Sequence, residues 1–294
     1  MVYWRSNGKE KKLKVIDVSK YQNKIDWEKV KADKVDGVII RAGFGAGNID
    51  PMFYDHIEGA LSVGLLVGVY WFSYAYNAKM AKQEAIYCHA SIERFKNKLS
   101  LPVFFDWEYD SFEFAKKLGV IPNKDLITEM NLAFCSMMES IGYTAGYYLN
   151  YDYSKQYVDE SRLKKYKRWF ARYTANQQTD CYMWQFTSKG KVDGIKGNVD
   201  CNVLYENITS TLPKEDPQEP QATDEPGEDY NMTTIRNGDK GKAVKIWQVI
   251  VNTKADGVFG KKTEEATKTF QKEKGLKADG IVGKETWKAG LESV

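Results

Sequence analysis

Five short apolar runs, each followed by a helical pattern, constrain the first two thirds of this chain more than any other feature. Lys14–Ser19, Gly37–Gly43, Leu66–Tyr74, Leu101–Glu108 and Tyr143–Asn150 are rich in Val, Ile, Tyr and Phe and read as strands. Trp27–Ala32, Met52–Val63, Ala78–Lys98, Pro122–Ile141 and Ser154–Lys165 read as helices, with Pro122 in a first turn, where its missing N–H costs nothing. Strands that alternate with helices pair in parallel through right-handed crossovers. Three more strands, Arg168–Tyr173, Cys181–Thr187 and Asn198–Leu204, follow with gaps too short for regular crossover helices. The pattern predicts an α/β fold, a β/α barrel of eight strands whose last three lack the full helical layer. An open doubly wound sheet is the competing topology.

The chain changes character after this body. Four of the seven prolines (Pro213, Pro217, Pro220, Pro226) fall close together, and from Pro213 to Asp229 seven acids face one base, Lys214. Such a composition cannot bury a core and predicts an extended linker over 211–230. It separates a body of residues 1–210 from a small domain of residues 231–294.

Charge narrows the partners. Lysine and arginine number 43 against 40 acids, so removing the acidic linker leaves a mildly basic remainder. A basic body suits an anionic polymer such as a bacterial cell wall, and also nucleic acid. Lysines dominate and no arginine-rich run occurs, so nucleic acid is not the expected partner. No stretch approaches the roughly 20 apolar residues of a membrane span, so no membrane insertion is expected. The first residues lack the apolar segment of a signal peptide, which predicts synthesis in a host cytoplasm with action on the bacterial cell wall.

Cys88, Cys135, Cys181 and Cys201 show no C-x-x-C pairing and read as reduced thiols. The two histidines, His56 and His89, lie in helical patterns without a ligand or nucleophile motif beside them. Zinc sites draw on histidine or clustered cysteine, and Ser or Cys triads need a histidine base. Neither a metal nor a cofactor is therefore expected.

Chemistry is concentrated in Val103-Phe-Phe-Asp-Trp-Glu108. A strand alternates its side chains, so Asp106 and Glu108 share one face, with Cα atoms about 6.6 Å apart from strand rise alone. Two carboxyls at that spacing, partly buried where a strand opens into a loop, have their pKa values pushed apart. One can then hold a proton while the other is ionised, as glycosidic bond cleavage requires. Taken alone, the pair is equally a strand end whose acids face water. In a barrel, however, functional residues gather at the C-terminal ends of strands. Asp17 ends Leu-Lys-Val-Ile-Asp and Asp200 follows the seventh strand in Gly-Asn-Val-Asp, so four acids share one predicted rim. Tyr70, Tyr148 and Trp184 also lie on predicted strands and are candidates to bind substrate, although each alone reads as ordinary core.

The body resembles glycoside hydrolase family 25, the muramidases. The resemblance rests on Asp17-Val-Ser-Lys-Tyr-Gln22, Ile49-Asp-Pro-Met-Phe53, Gly68-Val-Tyr-Trp-Phe72, Leu101-Pro-Val-Phe-Phe-Asp-Trp-Glu108, Trp184-Gln-Phe-Thr-Ser-Lys-Gly190 and Val192-Asp-Gly-Ile-Lys-Gly-Asn-Val-Asp200. It implies a (β/α)5β3 TIM-like barrel. It also implies hydrolysis of the β-1,4 bond between N-acetylmuramic acid and N-acetylglucosamine in bacterial peptidoglycan. Carried over, Glu108 is the general acid and Asp106 orients the substrate N-acetyl group or stabilises charge at the anomeric carbon. Asp17 and Asp200 complete the acidic floor. The family usually has His where this chain has Trp71, which touches local substrate contacts only.

The tail repeats itself at a period of 23: Lys254-Ala-Asp-Gly-Val-Phe-Gly-Lys-Lys-Thr263 and Lys277-Ala-Asp-Gly-Ile-Val-Gly-Lys-Glu-Thr286. Asp-Gly predicts a turn and each threonine a cap for the next helix. Helices are expected at Lys242–Asn252, Glu264–Lys274 and Thr286–Leu291. The unit resembles the three-helix peptidoglycan-binding domain through Gly238-Asp-Lys-Gly-Lys-Ala-Val-Lys-Ile-Trp-Gln248. The expected whole is a modular wall-lytic enzyme, phage-endolysin-like and made in the host cytoplasm. A chitin-type glycosidase and an inactive wall-binding protein are its rivals.

Overall fold

Side chains of alternating direction build the strands of the N-terminal unit, and their inward members decide what the barrel encloses. The computed structural model describes residues 12–205 and 234–292, apart from 252 and 255, so the expected linker at 211–230 lies outside the described residues. Those residues divide into an N-terminal and a C-terminal unit. In the first, β1 (Leu13–Val18), α1 (Trp27–Ala32), β2 (Gly37–Phe44), the short β3 (Asn48–Ile49), α2 (Phe53–Ser62), β4 (Leu66–Phe72) and α3 (Ala78–Ile92) come in order. They are followed by β5 (Val103–Asp106), α4 (Tyr109–Lys117), α5 (Lys124–Ile141), β6 (Ala145–Asn150), α6 (Tyr151–Gln156), β7 (Lys167–Ala171), β8 (Met183–Gly190) and β9 (Val199–Leu204).

The sheet runs β1-β9-β8-β7-β6-β5-β4-β2, and a further β1–β2 pairing closes it, which excludes the open sheet. β3 folds back antiparallel on β2 outside the ring. Neighbours from β1 through β2 and β4 to β8 are parallel, whereas β9 is antiparallel to both β8 and β1. Residues 191–198 are too few for a crossover, so the chain can only return alongside β8. This is the (β/α)5β3 arrangement expected from the sequence.

Inward positions are apolar through most of the barrel. Val15, Ile39, Tyr70, Phe104, Tyr148, Trp169, Met183 and Leu204 belong to one buried cluster. Trp169 sits among Phe104, Tyr148 and Tyr70, with ring centroids at 5.2, 4.8 and 5.9 Å in edge-on contact. Gly146 makes room for this packing, because a Cβ there would come within 2.5 Å of the Phe104 ring. Polar caps begin the helices that leave the rim: Asp26 accepts from Lys29 N, Asn77 from Met80 N and Asn150 from Tyr153 N.

Three local expectations are corrected. The pattern over 154–165 is not one helix: α6 ends at Gln156, and a single tight turn at Glu160–Arg162 follows. The break lets Val158 and Leu163 bury and turns Glu160 onto Arg168 and Ser154. The pattern over 78–98 tightens after Ile92 into a 3-10 helix, Glu93–Lys98. The helix expected from Pro122 begins at Lys124, with Asn123 Oδ1 accepting from Leu126 N at 2.9 Å, so Pro122 precedes its first turn instead of lying in it.

In the second unit, α7 (Lys242–Ile250), α8 (Lys261–Glu273) and α9 (Lys284–Glu292) pack around Trp247, which touches Phe270 and Trp287. The 23-residue period is a repeated clamp. Gln248 Nε2 donates to Asp256 Oδ1, Val258 O and Thr263 Oγ1, and its Oε1 accepts from Gly257 N. Gln271 repeats each contact on Asp279, Ile281, Thr286 and Gly280. The threonines are thus not helix caps as the spacing suggested: Gly260 caps α8, and Thr263 is buried within its first turn.

Candidate active site

Four carboxyls meet at one end of the barrel, and strand register brings them there. Asp17 is the last inward position of β1 and lies directly opposite Asp200 on antiparallel β9. Asp200 therefore reaches the rim from the beginning of its strand, where the parallel strands arrive by their ends. Asp106 closes β5 beside Tyr148 of β6. Glu108, two residues on, remains extended (φ −131°, ψ −163°) and caps α4, which keeps it on the face of Asp106.

Crowding and burial raise all four. Burial pushes Asp17 well above the usual carboxylate range, with Asp200 and Glu108 adding to it. Asp106 rises in the same way, first by burial and then by Glu108 and Asp17, against the pull of Arg41. Burial takes Asp200 up to about 6. Glu108, only partly covered, is pushed up to about 7 by burial, while the Tyr148 hydroxyl lowers it and Asp200 and Asp110 raise it. A carboxyl that titrates near neutrality at the mouth of the site can both hold and replace its proton.

Each acid has a different support. Asp17 Oδ2 accepts from Asn202 Nδ2 at 2.8 Å and from Gln185 Nε2 at 2.9 Å. Both amides are oriented by donors behind them. Trp169 Nε1 donates to Asn202 Oδ1 (2.8 Å), and the Tyr148 and Tyr173 hydroxyls donate to Gln185 Oε1 (3.1 and 3.0 Å). Asp106 has the charge of Arg41 nearby, and its Oδ1 is buried without a hydrogen-bond partner. Arg41 is held by Asp50, whose Oδ2 accepts from Arg41 Nε at 2.7 Å and from Lys20 N, while Met52 N bonds Oδ1. A phenol has one proton, so the Tyr148 hydroxyl can donate to Gln185 Oε1 or to Glu108 but not to both at once.

Comparison with known proteins identifies the fold that carries this arrangement. The family profile of glycosyl hydrolases family 25 matches residues 16–195. The chain belongs to that family. It is a glycoside hydrolase, and a second profile, of a peptidoglycan binding domain, matches residues 247–289. The autolytic lysozyme of Clostridium acetobutylicum is 25% identical over 275 residues, 88% of this chain and 72% of that one. The modular autolysin LytC of Streptococcus pneumoniae, solved in complex with a synthetic peptidoglycan ligand, superposes with a TM-score of 0.59 at 28% identity. The match covers 66% of this chain and less than half of LytC, 47%. A family 25 glycosyl hydrolase from Bacillus anthracis shares the fold at 22% identity and a TM-score of 0.55, over 70% of this chain and 94% of that one.

Within this family 25 hydrolase, Asp17, Asp106, Glu108 and Asp200 are together, and Tyr148 is with them. Tyr70 lies beneath, packed on Trp169 and close enough to Arg41, Asp17 and Asp106 to feel their charges. Trp184 is not brought to the acids. Its neighbours Met183 and Gln185 face inward, so alternation turns Trp184 outward, onto Phe186 and the Arg172 carbonyl. Trp71 also points away from the site, buried with Nε1 on Gly45 O at 3.2 Å, so its place in the motif bears on wall packing. Sequence reading passed over Arg41, Tyr173, Gln185 and Asn202. A charge inside the apolar run of β2 was a signal for Arg41, and the parity of Asn202 with Asp200 was one for Asn202. Among the described residues no cluster of three His, Cys, Asp or Glu side chains could hold a metal ion, and no helix is long and apolar enough to cross a membrane.

Proposed function

We propose that the enzyme is a muramidase acting on bacterial peptidoglycan, cleaving the β-1,4 bond from N-acetylmuramic acid to N-acetylglucosamine. The observation that carries the reading is the convergence of four carboxyls in which Glu108, partly exposed beside Tyr148, is poised near neutrality. Protonated Glu108 gives its proton to the glycosidic oxygen as the bond to the anomeric carbon breaks. The substrate acetamido oxygen closes on that carbon, and ionised Asp106 accepts the hydrogen bond of the acetamido N–H. Water then opens the ring and returns a proton to Glu108. Burial opposes an ionised Asp106, and two features counter it: a proton on Glu108 removes one neighbouring anion, and Arg41 favours the charged form.

Asp17, fixed by two amide donors, and Asp200 form the acidic floor, and Tyr70 and Tyr148 shape the sugar site. The C-terminal unit, in this reading, holds the enzyme on the wall, with the linker at 211–230 joining domains 1–210 and 231–294. An endolysin setting, with synthesis in a host cytoplasm, belongs to the same proposal and is supported by the pairing of a lytic and a wall-binding module. Mass spectrometry of digested peptidoglycan tests the bond: new reducing muramic acid ends are expected. New glucosamine ends or cleavage of chitin would favour the chitin-type glycosidase, and no new ends the inactive binder. Proton NMR of the nascent reducing end tests the route, since two displacements retain anomeric configuration and initial inversion would eliminate it.

A further inference from the structure

One buried acid takes no part in that chemistry. Glu84, on α3, is 2% exposed, although carboxylates are rarely hidden without a cation beside them. Its Oε1 accepts from Tyr74 N at 3.0 Å, and the adjacent Ser73 hydroxyl accepts from Ala75 N at 3.0 Å. Ser73, Tyr74 and Ala75 form the segment leaving β4 on the catalytic rim.

That segment bonds in turn to Asp106 and Trp107 directly, and to Glu108 through Ser111. Ser73 N donates to Asp106 O at 2.7 Å, and Trp107 Nε1 donates to Ala75 O at 2.8 Å. Ser111 Oγ donates to Ser73 O at 2.6 Å and accepts from Glu108 N at 3.1 Å. We propose that Glu84 is a positioning residue for the Asp106–Glu108 pair, acting through Ser73–Ala75. The proposal rests on the assignment of those two acids to the reaction.

Burial pushes the Glu84 carboxyl up to about 8, against the pull of the Ser73 hydroxyl and the Tyr74 and Ala75 amides, so it is mostly neutral at pH 7. Neutrality also accounts for Oε2, which is buried without a partner; an anion there would carry the full cost of desolvation. What the site needs is thus an uncharged acceptor of fixed length. An apolar side chain would leave the Tyr74 amide unpaired and free the segment to shift. Any such shift passes to Asp106 through the bond from Ser73 N to Asp106 O, and to Glu108 through the Ser111 hydroxyl. Displacements well under 1 Å at reacting groups are felt in turnover.

The test uses the full chain and a soluble glycan of alternating N-acetylglucosamine and N-acetylmuramic acid. Glu84→Met is expected to lower kcat by about 10–100-fold with KM within about threefold, the sign of geometry lost in the transition state. Glu84→Gln keeps an uncharged acceptor and should return kcat to within about threefold of the native enzyme. A merely structural Glu84 would lower melting temperature and recovery but leave kcat per folded molecule unchanged, and that result overturns the proposal. If Glu84→Met is not recovered folded, Ser73→Ala decides: a kcat loss of about 3–10-fold at constant KM supports it, and native kcat overturns it. Glu108→Gln separates the two levels. If Glu108→Gln turns over normally, the reading of the site fails. If it is inactive while Glu84→Met keeps native kcat, only the role of Glu84 falls.

Discussion

Acids in the barrel and acids in the C-terminal unit are shaped in opposite directions. Asp17, Asp106, Glu108 and Asp200 are crowded at one rim and raised by burial. Asp256 and Asp279 sit at exposed turns and are lowered. The Gln248 side chain and Val258 amide hold the first ionised, and the Ile281 amide and Gln271 side chain hold the second. The same functional group is thus raised where burial outweighs its donors, and lowered where donors reach it in the open. The turn acids explain the repeat, and the rim acids explain the chemistry.

The sharpest way to break that contrast is Glu108→Gln, which keeps the shape and removes the proton donor. Its kcat should fall by about 10²–10⁴ while binding to intact walls survives, as read by turnover assays and wall pull-down. Near-normal turnover would end the assignment. The matching substitution in the other unit is Gln248→Leu, which strips the Gly257 amide and the Asp256 carboxylate of a partner at once. It should destabilise the C-terminal unit by about 2–4 kcal/mol in a urea melt, with turnover on soluble glycan unchanged. A loss of turnover would show that the small unit contributes to the reaction as well as to anchoring.

Removing the small unit sharpens the comparison further. A chain ending at residue 212 retains the closed barrel and should cleave soluble glycan at the native rate. Its affinity for intact walls should drop about tenfold or more, because the second attachment raises effective concentration. Equal wall affinity with and without the tail would remove its anchoring role.

The smallest effect is on stability against pH, and its sign differs between the units. The buried barrel acids have folded pKa values above their unfolded ones, at about 6 for Asp200, 7 for Glu108 and 8 for Glu84, and outweigh the lowered surface acids Asp26 and Asp159. The folded barrel therefore binds more protons than the unfolded chain, and its stability, complete below the unfolded values, is lost as pH rises toward 8. The turn acids are lowered, so the small unit loses stability only as pH falls below the usual carboxylate range. Calorimetry from pH 3 to 8 should show the barrel melting about 5 °C or more lower at pH 8 than at pH 5. The small unit should weaken only at the acid end. A barrel transition that rises with pH would contradict the burial of its acids.

Much of this was legible in residue order alone. Short apolar runs located all eight barrel strands, Asp-x-Glu placed Asp106 and Glu108 on one face, and the 23-residue repeat announced the paired turns. These are local facts, because strand alternation and turn chemistry act between near neighbours. What tertiary structure alone decided is convergence. Gln185 and Asn202 meet Asp17 across 168 and 185 residues, through ring closure and the antiparallel return of β9. Trp184 carries the same strand signal as Gln185 yet faces outward, because one step of register exchanges the two faces of a strand. Which residue of an alternating pair enters the site depends on the strand beside it, and that neighbour is chosen only when the barrel closes.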